Sequence, residues 1–396
     1  MLGKSLFSFY KMLLRCFNMS VLSVVNAELY KEKTGNIQIS PIETNRKGVD
    51  ANIIMVGSDE SAILTEKAIP DLRLKVYRNV CIQGNSDVIV DVLNGVVISE
   101  EAYNLEENLE IIDGLLYRTS DNVCLLRDNL RHPKMDVSTG IMISGKFCNN
   151  YYHLMFENFI KLMYLDKLNI PQEVPIIIDR KTLSIPSCRT VFDILTENCN
   201  RPIYEIDSNK LYCFDFLYCL DHVNKLSSHS KDPHKPSTFL YSPQALELLR
   251  NCLLSKRSAQ PAHQRIFISR AGSARRNFNE DEVFSVLQKY GFERLAPEDF
   301  SFEEQMTLFN DAKFIVAGSG AALTNLLFVN RECTVVCFGR SSYNEKCDIP
   351  VFNTIAAING ARFYFFPRKN RVVDSIHVNF EIDCGDFERQ IKKILE

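Results

Sequence analysis

Apolar positions fall into two rhythms along this chain. Between about residues 38 and 140 they form short strand-length runs at 53–56, 74–82, 88–92 and 96–98. Asn94-Gly95, between the last two, is a hairpin signal, because a tight turn there demands positive φ. From residue 141 strand-length runs alternate with helical periods. Strands are predicted at 141–144, 174–178, 202–206 and 211–220, and helices at 150–168 and 187–198. Such alternation builds a mostly parallel sheet covered by helices.

A polar stretch with two prolines, 224–237, has no apolar period and reads as a linker. Beyond it a helix at 242–254 opens a cleaner alternation, with strands at 266–269, 292–295, 314–317, 335–338 and 362–366. Asn279 with Glu282, and Ser301 with Glu304, have the spacing of helix capping boxes. Gly291 ends the first of those helices. The expected organisation is a leader at 1–36, an N-terminal domain at 37–236 and a doubly wound C-terminal domain at 237–396. Within the N-terminal domain, 37–140 is β-rich, 141–223 is α/β and 224–236 is the linker.

A chain of 396 residues exceeds one ordinary core, which agrees with two domains. With 46% hydrophobic and 24% charged residues it reads as soluble and globular. A formal charge of −3 offers no global attraction to nucleic acid, so none is expected as a partner, and any anion site must be local. The 13 cysteines include no Cys-x-x-Cys pair, so no zinc site is expected. They read as small buried hydrophobes in a reducing compartment, which points to the cytoplasm. At the N-terminus Lys4, Lys11 and Arg15 precede an apolar run at 17–27, too short to cross a bilayer. Three readings stay open: a weak signal-peptide core, a partly ordered leader, or an amphipathic helix on a membrane surface. In the last, Phe7, Tyr10, Leu13, Leu14 and Phe17 share one side.

Ligands of open α/β sheets bind beyond the carboxyl ends of the strands. Two loops of the second half leave their strands there. From Arg250 to Asn279 the chain carries seven Lys or Arg and no acid. Arg270, Arg275 and Arg276 of that stretch lie just before a helix N-terminus, where free amides already favour anions. An ordinary solvated basic loop explains this stretch about as well. The second loop, 317–325, contains Gly318-Ser319-Gly320-Ala321, whose glycines let backbone approach a phosphate; a plain tight turn is the alternative. It resembles a dinucleotide fingerprint, but the third glycine is absent. Phe338-Gly339-Arg340 also lacks the acid that would hold an NAD ribose. In the first half Asn150, His153, Glu157 and Lys161 fall within about 80° of one another at 100° per residue. Tyr152, Met155, Phe156, Phe159, Leu162 and Met163 lie opposite. So narrow a polar stripe fits a helix buried on most sides with one edge facing a cleft, although a solvent edge has the same pattern. His153 and Glu157, one turn apart, have the spacing of a base and its orienting partner.

Five motifs in fixed order carry a resemblance: Asn150-Tyr-Tyr-His153-Leu-Met-Phe156-Glu157, Ile266-Phe-Ile-Ser269-Arg270, Asn279-Glu280-Asp-Glu-Val, Ser301-Phe-Glu-Glu304-Gln305 and Gly318-Ser-Gly-Ala-Ala-Leu-Thr-Asn325. The chain resembles glycosyltransferase family 61, which includes capsular-polysaccharide enzymes and xylosyl- and N-acetylglucosaminyltransferases. The resemblance covers about 75–396 and is strongest from 141 to 340. It implies an α/β, GT-B-like fold of two Rossmann-type halves with a cleft between them, an inverting transfer, and a nucleotide-sugar site in the C-terminal half. Carried over by position, that site comprises Arg270, Asn279, Glu280, Glu304, Gln305, Gly318, Ser319, Gly320, Ala321 and Asn325, with Arg275 and Arg276 beside it. Ser319 stands where the family usually has His, which puts donor contacts or activity in question.

The expected chemistry is an in-line displacement of a hexosyl or pentosyl group in capsular or surface polysaccharide synthesis. His153 deprotonates a saccharide acceptor, with Glu157 orienting it or acting as base itself, and Asn150 and Lys161 lie on the acceptor side. Arg270, with Arg275 or Arg276, and the amides of Gly320 and Ala321 stabilise the leaving diphosphate. The chain has no Asp-x-Asp, so the reaction is expected to need neither metal nor cofactor beyond the donor. A cytoplasmic enzyme, with peripheral contact at the inner face of the membrane through its N-terminus, is the expected setting. The rivals are a Rossmann oxidoreductase, weakened by the missing acid, a non-catalytic sugar- or nucleotide-binding protein, favoured by Ser319, and a membrane-surface scaffold.

Overall fold

The computed structural model describes residues 19–99, 116–120, 123–127, 134–208, 210–226, 239–258, 263–272, 277–340, 351–369 and 379–396. The chain separates into two compact units: 1–46 with 70–223 and 227–232, and 47–69 with 224–226 and 233–396. Segment 47–69 therefore groups with the C-terminal residues, where the sequence placed it in the N-terminal domain. Its two strands, β3 (Lys47–Ala51) and β4 (Leu64–Ala68), pair antiparallel with each other, and Val49 bridges to Tyr241.

Strands of the first unit are, in chain order, β1 (Met19–Val25), β2 (Ile37–Glu43), β5 (Leu72–Gln83), β6 (Ile89–Asp91), β7 (Val96–Ile98), β8 (Leu116–Ser120) and β9 (Val123–Arg127). Then follow β10 (Lys134–Met142), β11 (Ile176–Asp179), β12 (Ile203–Ile206) and β13 (Leu211–Leu220), while β3 (Lys47–Ala51) and β4 (Leu64–Ala68) belong to the second unit. The sheet order is β12-β11-β10-β13-β5-β6-β7-β1-β9-β8, with β2 also paired to β5. Its first four strands are mutually parallel, and β5 adds antiparallel to β13. The apolar run Ile176-Ile177-Ile178 is buried throughout, as a parallel strand covered on both faces requires. The chain builds β10, β11 and β12 outward on one side, then returns to place β13 on the other. Between β10 and β13 the winding reverses.

The predicted hairpin is present: β6 and β7 pair antiparallel and Gly95 has φ 66°. Buried Asp91 holds the turn, accepting from the Asn94 amide at 3.0 Å and from the Tyr30 hydroxyl at 2.7 Å. Tyr30 lies on the helix Ala27–Thr34, and burial pushes its phenol well above the usual range. The leader therefore needs correcting from residue 19 onward. β1 pairs with both β7 and β9, so much of the apolar run is an interior strand and not a helix. Residues 1–18, with the basic positions and the aromatic stripe, lie outside the described residues.

A second correction concerns the cysteines. Cys81 on β5 and Cys213 on β13 stand directly opposite in the antiparallel register and form a disulfide. Sequence spacing hid this pair because 132 residues separate its members.

In the second unit a parallel sheet carries β14 (Arg265–Ile268), β15 (Glu293–Leu295), β16 (Phe314–Gly318), β17 (Thr334–Arg340) and β18 (Arg362–Pro367). Its order is β15-β14-β16-β17-β18. The winding reverses between β14 and β16, the doubly wound pattern in which ligands sit at that junction. Ser301 and Glu304 form the expected capping box. Asn279 does not: its amide reaches Glu282 at 2.7 Å, but it makes no cap bond and instead exchanges hydrogen bonds with the backbone of Ile382. Among the described residues no helix is long and apolar enough to cross a membrane.

Candidate active site

The segment expected as a helix at 150–168 changes pitch along its length. An α turn at Tyr151–His153 passes into a π stretch at Leu154–Asn158 and then a 3₁₀ run at Phe159–Lys167. Asn150 caps its start, its side-chain oxygen accepting from the Tyr152 amide at 3.1 Å. At the wide turn the Phe159 amide reaches back to the Leu154 carbonyl. Such π insertions recur at functional sites because they re-aim side chains. Met155, Phe156 and Phe159 are fully buried. On the opposite stripe Glu157 and Lys161 are buried, at 6% and 7% exposure, and Asn150 and His153 are half-buried. It is not a solvent edge.

His153 Nδ1 lies 2.7 Å from Glu157 Oε1, the contact expected of a base and its orienter. The imidazole stacks on Phe147 with centroids 4.4 Å apart, and Tyr152 meets it edge-on. Phe147 has φ 61°, a conformation that bulky side chains rarely adopt and that clusters at functional sites.

Glu157, Asn158 and Lys161 form one wall of a pocket of about 100 Å³. Ser144 and Gly145, just past the carboxyl end of β10, and Asp221 and His222, just past that of β13, form another. The pocket thus occupies the junction where the first sheet reverses its winding, the position in which open α/β sheets take ligands. Lys75 enters from β5, its Nζ 2.5 Å from Asp221 Oδ1, while Arg73 Nε reaches the other carboxylate oxygen at 3.0 Å. Burial lowers the Lys161 ammonium below its usual range, and burial with the nearby Lys161 charge brings His222 down to about 4. Sequence reasoning found Glu157 and Lys161 here but missed Lys75, Asp87, Ser144, Asn158, Asp221 and His222. The strand-end rule, applied to 141–144 and 211–220 as it was to the second half, points to Ser144 and Asp221-His222.

In the second unit Arg270 follows β14 and the glycine turn follows β16, so both lie at the other reversal point. The Arg270 guanidinium donates from Nη1 to the Ser319 carbonyl at 3.2 Å. It lies so close over the turn that a Cβ on Gly320 would stand 2.0 Å from Nη1, and one on Gly318 2.8 Å from Cδ. Glu280 fixes the loop from below, accepting from the Ser269 hydroxyl at 2.5 Å and from the Arg270 amide at 2.8 Å. Arg270, Asn279 and Glu280 share the lining of a 400 Å³ pocket with Arg294. Ser319 gives its amide to the Phe338 carbonyl, and Ala321 begins a 3₁₀ run to Phe328.

Other expected site residues have structural partners. Glu304 closes the capping box, and Gln305 and Asn325 are buried and joined by a 3.0 Å hydrogen bond between their amides. Gln305 also donates to the Pro297 and Phe300 carbonyls. Arg275 and Arg276 lie outside the described residues. Among the described residues no cluster of three or more His, Cys, Asp or Glu has the placement of a metal site.

Parallel strands alternating with helices define an α/β protein, with a polar pocket at the winding reversal of the first sheet. The glycosyltransferase 61 family model matches residues 141–336, from the last residues of β10 to the middle of β17, and so spans both reversal points. Residues 141–336 are a glycosyltransferase family 61 domain. Comparison with curated proteins finds no match.

Proposed function

We propose that the protein transfers a sugar from a nucleotide-sugar donor to a saccharide acceptor with inversion at the anomeric carbon. The donor diphosphate is held in the second unit by Arg270 and by the amides of Gly320 and Ala321, and the acceptor in the first unit. His153, oriented by Glu157, takes the proton from the attacking hydroxyl; that proton ends on the imidazole as the new glycosidic bond forms and the bond to the diphosphate breaks. Positive charge and backbone amides offset the charge that builds on the leaving group. The observation that carries this reading is the Arg270 guanidinium packed over the glycine turn at the winding reversal. Arginine there supplies what a divalent cation supplies elsewhere, so the transfer runs without metal.

A panel of nucleotide sugars in a thermal-shift assay tests donor binding, because a ligand of the folded state raises the melting temperature. A nucleotide sugar that binds and is turned over with an acceptor supports the proposal. Binding of UDP with no transfer to any acceptor favours the non-catalytic alternative, to which Ser319 lends weight. Activity lost in EDTA and restored by Mn²⁺ would refute metal independence.

A further inference from the structure

The pocket at the β10–β13 reversal is donor-rich and buries a cation that no carboxylate contacts. Lys161 is 93% buried by its 7% exposure and lines the pocket, yet among the described residues it makes no hydrogen bond or ion pair. Asp87, Glu157 and Asp221 also line the pocket and favour the Lys161 charge from a distance, but Asp221 is bound by Lys75 and Arg73, and Glu157 by His153. Three further wall groups are buried without a partner: Ser144 Oγ, Asn158 Nδ2 and His222 Nδ1. Ser144 and Asn158 are each 2% exposed. An ammonium and a carboxamide NH₂ can only donate, and a hydroxyl can donate. Leaving such groups unmet in a buried wall is costly, so the fold keeps them for something that arrives.

A sugar hydroxyl satisfies hydrogen bonds but leaves Lys161 without a contacting counter-ion. A small oxyanion meets both needs, and about 100 Å³ accommodates a carboxylate or phosphate group rather than a whole pyranose ring. We propose that this pocket receives the oxyanion of an acidic acceptor, a sugar bearing a carboxylate or a phosphate, with Lys161 as its counter-ion and Ser144 and Asn158 as donors. The inference rests on the transferase reading for the word acceptor; the oxyanion site itself does not depend on it.

The test uses the full chain and titrates glucuronate, glucose 6-phosphate and glucose by calorimetry, alongside UDP. Glucuronate or glucose 6-phosphate is expected to bind at least tenfold more tightly than glucose, and whichever is tighter identifies the oxyanion. Lys161→Met removes the charge while keeping the stem, and should erase that preference with the melting temperature unchanged or raised, since a buried charge without a contacting counter-ion is lost. Ser144→Ala should weaken the acid several-fold and leave glucose unaffected. Equal binding of acid and neutral sugar, no binding of either, or a preference that survives in Lys161→Met overturns the inference. UDP separates the two failures: UDP binding and transfer to a neutral acceptor without acid preference sinks only the oxyanion site. An acid preference without UDP binding sinks the transferase reading and leaves the site standing.

Discussion

The two winding reversals occupy the same topological position and are furnished in opposite ways. In the first unit the polar groups sit in buried walls, on a helix of changing pitch and on strand tails. Glu157, Asn158, Lys161 and Ser144 are all less than a tenth exposed. In the second unit the chemistry hangs on loops: one long arginine laid over a glycine turn and donating to the Ser319 carbonyl. A buried site shares its groups with the core, so damage to it should cost folding and function together. A loop site borrows rigidity from the sheet without contributing much, so damage there should cost function alone.

The sharpest way to break that comparison is His153→Ala. Loss of a general base is expected to lower kcat by about 10²–10⁴. It also leaves the buried Glu157 carboxylate without its 2.7 Å contact, which should cost about 1–3 kcal/mol of stability. Turnover is checked with the best donor of the panel and stability by urea titration. Near-normal turnover would remove His153 as the base.

Acid should reveal the same coupling next. His222 titrates near 6.5 when unfolded and near 4 when folded. Above pH 6.5 both states hold a neutral imidazole and nothing is exchanged. Below it the unfolded chain takes up the proton first, so stability falls as pH drops from 6.5 to about 4, by up to about 3 kcal/mol. His222→Leu should flatten that portion of the stability–pH curve. A wild-type curve that is level across this window would contradict it.

Arg270→Ala tests the loop site. Removing a charge-assisted contact to the diphosphate should weaken the donor by about 2 kcal/mol, near thirtyfold, with stability changed by less than about 0.5 kcal/mol. Parallel loss of stability would mean that Arg270 belongs to the core after all.

The difference between the units also decides how much the sequence could tell. Unit two is regular: each strand run, the capping box at Ser301 and Glu304, and the glycine turn are local patterns, and all are found where the pattern puts them. Asn279 fails as a cap because a segment 103 residues away, at Ile382, competes for its side chain, and no local rule sees that. In the first unit the hairpin at Asn94-Gly95 and the His153–Glu157 pair were legible, being short-range. Lys75, Ser144, Asp221 and His222 come together only because β10, β13 and β5 are neighbours in the sheet. The Cys81–Cys213 pairing depends on the same long-range register. Gln305 and Asn325 show the reverse: motif residues expected beside a ligand are bonded to each other in the interior.

Gly320→Ala is the mildest probe and the most discriminating. Gly320 has φ 178°, an extended backbone that alanine adopts without strain, so the fold gives no reason to resist the change. The added methyl would stand 2.0 Å from Arg270 Nη1, which cannot be tolerated. What yields is the far end of a flexible side chain rather than backbone, so the guanidinium must swing off the turn and lose the Ser319 carbonyl. Donor KM should then rise by about tenfold, roughly 1.4 kcal/mol, with kcat and melting temperature nearly unchanged. Because the methyl acts only through Arg270, adding it to Arg270→Ala should cost little more than Arg270→Ala alone. Additive losses would show that Gly320 serves the donor by some route other than the arginine above it.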